Sequence, residues 1–155
     1  DPEAEAQWIT EAELNDVEGV VAIPGAVAFL NDVPSDQWAL VTSAPRELAL
    51  RRLQAAGISP PAVWVTAEDV ANGKPDPACY RLGAQRLGVA AQDCLVFEDA
   101  TVGIRAGEAA GADVMVVTST HLAPMVTAHA WIDGYEQFQV RRDAEGLLRV
   151  ERRME

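Results

Sequence analysis

Three times along this chain a short apolar run gives way to a polar turn, an amphipathic stretch and a closing glycine, and a fourth apolar run follows. That alternation limits the fold more than any other feature. "QWALVTSA" reads as a strand. In the "PRELALRRLQAAG" that follows, Pro45 falls in a first helical turn, Ala49, Leu53 and Ala56 share one face, and Gly57 marks the stop. "AVWVT" is the second run; the helix after it opens with Asp76 as N-cap and Pro77 in its first position, buries Tyr80, Ala84 and Leu87, and ends at Gly88. "DCLVFEDA" leads into the small-residue helix "TVGIRAGEAAG", closed by Gly111, and "DVMVV" is the fourth strand. Strands apolar on both faces that alternate with helices imply the α/β class, a doubly wound parallel sheet covered on both sides. Towards the end, "FQVRRDAEGLLRVERR" alternates apolar and charged residues around a turn from Asp143 to Gly146, which predicts a C-terminal antiparallel hairpin extending one sheet edge.

Composition narrows the partners. With 155 residues, 49% of them hydrophobic, the chain can bury one sizeable core, and no apolar run approaches the roughly 20 residues that span a bilayer. Its formal net charge of −12 repels nucleic acid and anionic lipid, so neither nucleic acid nor membrane is expected as a partner. Any phosphate bound here needs a local site. Cys79 and Cys94 belong to no CxxC or Cys/His cluster, and no basic segment leads into an apolar leader, so reduced thiols and a cytoplasmic location are expected.

In an open parallel sheet chemistry gathers beyond the carboxyl ends of the strands. Three such places stand out. Thr42 and Ser43 follow the first strand, where a hydroxyl and a free backbone N–H lead into a helix N-terminus and suit an anion. Ser43 ahead of Pro45 would equally serve as an N-cap with no ligand. Lys74, in "VANGKPDPACY", is the only lysine in a chain whose other cationic side chains are all arginine. Most lysines are solvated surface residues, but one held between Gly73 and Pro75 before a helix suggests a place where a compact ammonium is wanted and a planar guanidinium is not. Glu98 and Asp99 follow the buried run "CLVF". Adjacent carboxylates repel unless a cation sits beside them, and hard oxygen donors point to Mg²⁺. The alternative is that Asp99 caps the next helix and Glu98 is solvated. Gly103 and Ala106 let that helix approach the sheet closely and bring its N-terminus towards the same place.

Hydroxyl, then lysine, then acidic pair: with the wording "LVTSA", "GKPDPACY" and "VFEDATVGIRAGEAAGA", this order closely resembles the second, third and fourth motifs of the haloacid dehalogenase superfamily of phosphohydrolases, in its sugar phosphatase and β-phosphoglucomutase branch. The resemblance covers about residues 18–117. It implies a Rossmann-like core in which Lys74 neutralises the transferred phosphoryl group and the nucleophile, Thr42 and the Ser43 amide hold phosphate oxygens, and Glu98 and Asp99 help to hold Mg²⁺. Thr42 and Lys74 are thus the expected catalytic residues.

The family's first motif, an apolar strand ending in Asp-x-Asp that carries the nucleophile, has no counterpart in these residues. The resemblance places that strand at the sheet centre, between the strands ending at Thr42 and Glu98, and so implies a first central strand missing from the chain. By the same resemblance residues 1–20 are the end of a helical cap domain with its return segment, and residues 21–155 are the α/β core, with Pro24 and Gly25 opening a helix. The expected activity is Mg²⁺-dependent hydrolysis of a small phosphorylated metabolite, a sugar or polyol phosphate, through an aspartyl-phosphate on an aspartate outside this chain. The alternatives are a phosphomutase, or an inactive fragment that binds phosphate or a partner. A monomer or weak dimer is expected.

Overall fold

The computed structural model describes residues 2–154; Asp1 and Glu155, the outer limits of the two expected segments, lie outside the described residues. Helix α1 (Pro2–Asn15) packs against residues 46–55, where Arg52 reaches Glu13 at 3.5 Å. Helix α2 (Ala26–Asn31) opens after Gly25, as "PG" suggests. Gly25 has a positive φ of 80°, and a Cβ there would lie 2.3 Å from the Glu136 backbone nitrogen, so only glycine fits this crossing.

The β-α alternation is as read. Strand β1 (Ala39–Val41) feeds α3 (Arg46–Ala55), β2 (Val63–Val65) feeds α4 (Ala78–Leu87), and β3 (Leu95–Glu98) feeds α5 (Thr101–Ala110). All three of these helices stop against glycines in the left-handed region, Gly57, Gly88 and Gly111, where a side chain would be strained. Strand β4 (Asp113–Val117) follows, and a short fifth parallel strand, β5 (Ala130–Ile132), lies outside the sequence expectation. Its three residues are too few to show a period.

Among the described residues the parallel strands form two ladders. β1 pairs with β2, Ala39 opposite Val63; β4 lies between β3 and β5, with Leu95 opposite Asp113 and Met115 opposite Ala130. No ladder joins β1 to β3. Helix α4 holds the two together. A Cβ on Gly83 would meet Val41 of β1 at 3.1 Å, while Tyr80, one turn earlier, bonds Glu98 of β3. The core under α4 and α5 is accordingly continuous: Val65 from one ladder, Val96, Val114 and Val116 from the other, with Tyr80, Ile104 and Ala106 above them. Val65 and Val116 have no exposed surface, and enclosing each is worth about 1.5–3 kcal/mol. On the other face of β3, Phe97 packs against Phe29 of α2 and Tyr135, ring centroids 5.6 and 5.7 Å away.

One expectation is corrected. The hairpin, β6 (Phe138–Arg142) and β7 (Leu148–Arg152), forms around Asp143–Gly146 but is a ladder of its own and extends no parallel edge. It rests on α2, and it is tied to the connection between α2 and β1 by Arg142 donating to Gln37 at 3.0 Å. Alternation reveals which face of a hairpin is apolar, not which neighbour covers it.

Candidate functional site

Lys74 sits in the loop ahead of α4, where the Asp76 carboxylate accepts a hydrogen bond from the Ala78 amide at 2.8 Å and fixes the start of the helix. From there the ammonium group ion-pairs with Oε1 of Glu98, at the carboxyl end of β3. Lys74 is only 13% exposed and Glu98 7% by side chain, so this is an enclosed pair. The same Oε1 accepts the Tyr80 hydroxyl, and the Lys74 ammonium lies 5.0 Å from the centre of the Tyr80 ring. Oε2 takes the Asp99 and Ala100 amides at 3.1 and 3.3 Å. Oε2 thus ties down the two backbone amides just ahead of α5, whose N-cap position, Ala100, has no side-chain cap, so Asp99 is not the cap that was the alternative for it.

The Glu98 carboxyl is held below its ordinary range. Burial alone would raise it, but the bonds from Lys74 and Tyr80, the charge of Lys74 and the Ala100 amide together outweigh burial. Tyr80 moves the other way: its burial, with the Glu98 carboxylate beside it, pushes the phenol far up and keeps it a donor. Gly103 makes room for this arrangement. A Cβ there would sit 2.0 Å from the Glu98 carboxyl carbon.

Asp99 points elsewhere and is half-buried. Its Oδ2 accepts the Thr120 hydroxyl at 3.0 Å, and its backbone carbonyl meets Nε2 of His121. Both partners come from the loop after β4, and beyond β5 the phenol of Tyr135 is pushed up to about 12, chiefly by its burial and secondarily by the Asp99 charge. Loops from three adjacent carboxyl ends thus gather around Asp99.

Thr42 stands at the carboxyl end of β1, its amide bonded to the Val65 carbonyl and its hydroxyl accepting the Ala44 amide at 3.1 Å. Ser43 beside it is exposed. The structure brings Lys74 into contact with Glu98, and Asp99 follows Glu98 in the chain. It leaves Thr42 and Ser43 at the end of the other ladder, with no hydrogen bond from Thr42 to Lys74 or Glu98.

The donor set bears on a metal. Asp99 Oδ1 is a hard oxygen without a partner among the described residues, which suits Mg²⁺. Both Glu98 oxygens are already occupied and its charge is matched by Lys74, so Glu98 fits a supporting position better than direct ligation. No cluster of three metal-ligating side chains occurs among the described residues, and these two acids make part of a coordination sphere.

Sequence reading missed Tyr80, which it took for core, and Thr120 and His121. The signal for the last two was available: "TSTH" directly follows the apolar run "DVMVV", the same position that singled out Thr42 and Glu98.

Known proteins resemble this chain. Hexitol phosphatase A of Escherichia coli is 39% identical over 146 residues, 92% of this chain and 68% of that protein. Glycerol-1-phosphate phosphohydrolase 2 of Saccharomyces cerevisiae is 39% identical over 113 residues, 66% of this chain and 45% of its own length. Among solved structures, β-phosphoglucomutase from Clostridium difficile superposes with a TM-score of 0.64 at 25% identity, over 80% of this chain and 56% of that one. The chain thus spans two thirds of the first relative and about half of the other two. A family model described as haloacid dehalogenase-like hydrolase matches residues 3–111. That match takes in well over half of the chain, and with the 39% identity to a relative covered over two thirds of its length it shows that this chain belongs to the haloacid dehalogenase-like hydrolase family.

Proposed function

We propose that the chain is the larger part of the catalytic core of a phosphatase acting on a small phosphorylated sugar or polyol. The observation that carries this reading is the enclosed Lys74–Glu98 pair beside the half-buried Asp99, in a chain 39% identical to a hexitol phosphatase. An ammonium held by Glu98 is a fixed positive charge, aimed before the reaction starts at the place where phosphoryl oxygens gain charge.

In this scheme an aspartate from a segment outside residues 1–155 attacks phosphorus. The new bond is carboxylate oxygen to phosphorus, the bond to the sugar oxygen breaks, and the alcohol leaves with a proton given by a general acid on that same outside segment, which takes one back from the attacking water in the second step. Water then attacks the phosphorus of the acyl phosphate, releasing inorganic phosphate and restoring the carboxylate. Lys74 offsets the charge crowded between nucleophile and phosphoryl group, and Glu98 and Tyr80 hold its ammonium in place. Thr42 and the Ser43 amide steady phosphate oxygens from the β1 side. Asp99, supported by Glu98, is the chain's contribution to a Mg²⁺ site; bound there, the ion would offset phosphoryl charge.

The test is phosphate release from hexitol phosphates and glycerol phosphate by the intact protein. Lys74→Ala and Asp99→Asn should each remove most of the activity. Full activity in Lys74→Ala would overturn the assignment. The likeness to β-phosphoglucomutase favours a second reading, transfer to another position on the sugar, and an isomeric sugar phosphate as product in place of free phosphate would select it.

A further inference from the structure

Resting on the reading of Asp99 as a metal ligand, we infer that the loop after β4 is a clasp on that carboxylate, with Thr120 as the positioning residue. Nothing in the motifs that mark this family's site within the chain falls on residues 118–121, yet this loop supplies the only hydrogen bond made to the Asp99 carboxylate among the described residues. The loop is itself tied down. The Thr118 amide and hydroxyl both bond the Ile132 carbonyl, at 2.8 and 3.1 Å, and the His121 amide closes a turn on the Thr118 carbonyl at 3.0 Å. His121 Nε2 then donates to the Asp99 backbone carbonyl, so the clasp holds main chain and side chain of one residue.

The consequence is directional. An aspartate carboxylate turns about its terminal torsion in a broad, nearly two-fold well. A hydroxyl bonded to Oδ2 at 3.0 Å selects one orientation, and leaves Oδ1 as the oxygen presented to a ligand. Groups that orient a metal ligand from behind commonly change affinity without touching the ion. Thr120 is exposed and buries no core surface, so its removal should leave the fold intact.

Mg²⁺ titrations by isothermal calorimetry, without substrate, test this on the intact protein and on Asp99→Asn, Thr120→Val and Thr120→Ser, with thermal midpoints taken in EDTA alongside. The expected result is that Asp99→Asn abolishes or strongly weakens binding, Thr120→Val weakens it roughly tenfold, Thr120→Ser restores it, and the metal-free midpoints of both Thr120 variants match the parent. If Asp99→Asn weakens binding and Thr120→Val does not, the clasp is overturned while the ligand reading stands. Weak binding in Thr120→Val that Thr120→Ser fails to restore also overturns it, because the hydroxyl would then not be the cause. If the parent binds no Mg²⁺, or Asp99→Asn binds as the parent does, the ligand reading itself falls and takes the clasp with it.

Discussion

Lys74 is enclosed and ion-paired rather than a solvated surface lysine, and its surroundings say why an arginine would not serve. The ammonium is packed between a carboxylate oxygen and an aromatic face in a space that leaves it 13% exposed. A guanidinium is planar, wider, and donates from several fixed directions, so it would have to displace Glu98 or Tyr80. Lys74→Arg should therefore lower turnover of the intact enzyme by roughly a hundredfold with little change in circular dichroism; near-normal turnover would mean that charge alone suffices. Glu98 supports a pH prediction at the same scale. Its folded-state carboxyl titrates below the ordinary value of 4.5, so the pair's contribution is complete above that value and is lost as pH falls through the lower, folded one. Thermal midpoints taken from neutral pH down to about pH 3 should thus fall more steeply for the parent than for Glu98→Gln. Coincident acid limbs would show that Glu98 is not the titrating group. Lys74 was legible because it is the chain's only lysine. Tyr80 was not, since a tyrosine on the apolar face of a helix reads as core, and nothing in its spacing reveals where the hydroxyl ends.

The β-α elements were legible because each has its own local signals: a β-branched run, a proline in a first helical turn or a cap, a glycine at the end. The fifth strand and the seat of the hairpin were not, because both depend on neighbours distant in sequence: β5 is three residues placed by β4, and β6 rests on α2. Helix α5 shows how an element's close approach shapes the site. At Gly103 an added methyl would lie 2.0 Å from the Glu98 carboxyl carbon, whereas at Gly107 the nearest atom is a Val114 methyl at 3.0 Å. Alanine in a helix interior is favoured over glycine by about 1 kcal/mol, so the two substitutions start from the same gain. At Gly103 the clash falls on a buried, ion-paired carboxylate that cannot withdraw without breaking its bonds to Lys74 and Tyr80. Gly103→Ala should accordingly cost about 1–3 kcal/mol net, read by denaturant unfolding, and should also reduce activity. Gly107→Ala, facing a methyl that needs to give by only a few tenths of an ångström, should be close to neutral. Equal effects would show that α5 shifts as a rigid body and that the fit around Glu98 is not what sets its distance from the sheet.

At the scale of the whole molecule, the two parallel ladders form one core but, among the described residues, share no strand pairing. β1 and β3 there pair on one side only, and α4 lies over both. The sequence resemblance implies a central strand between these two, ending in the nucleophile, and no Asp-x-Asp follows an apolar run in residues 1–155. If a further strand belongs between the ladders, its absence leaves backbone N–H and C=O groups unpaired on β1 and β3. Each such group costs about 1–3 kcal/mol when buried, against a total of only about 5–15 kcal/mol for an ordinary domain. Two consequences follow for residues 1–155 in isolation. They should unfold in a broad, weakly cooperative transition, and they should release no phosphate from any sugar phosphate, because a hydroxyl, a lysine and an acidic pair engaged as Glu98 and Asp99 are cannot form the covalent intermediate. Joining an N-terminal segment that holds an apolar strand ending in Asp-x-Asp should restore both properties together, a sharp transition and Mg²⁺-dependent hydrolysis. The same segment with its first aspartate replaced by asparagine should restore the transition alone, since pairing needs the strand while chemistry needs the carboxylate. The measurements are calorimetric unfolding and phosphate release on all three forms. Turnover by residues 1–155 on their own would place a nucleophile inside this sequence, and the assignments of Lys74, Thr42 and Asp99 would have to be rebuilt around it.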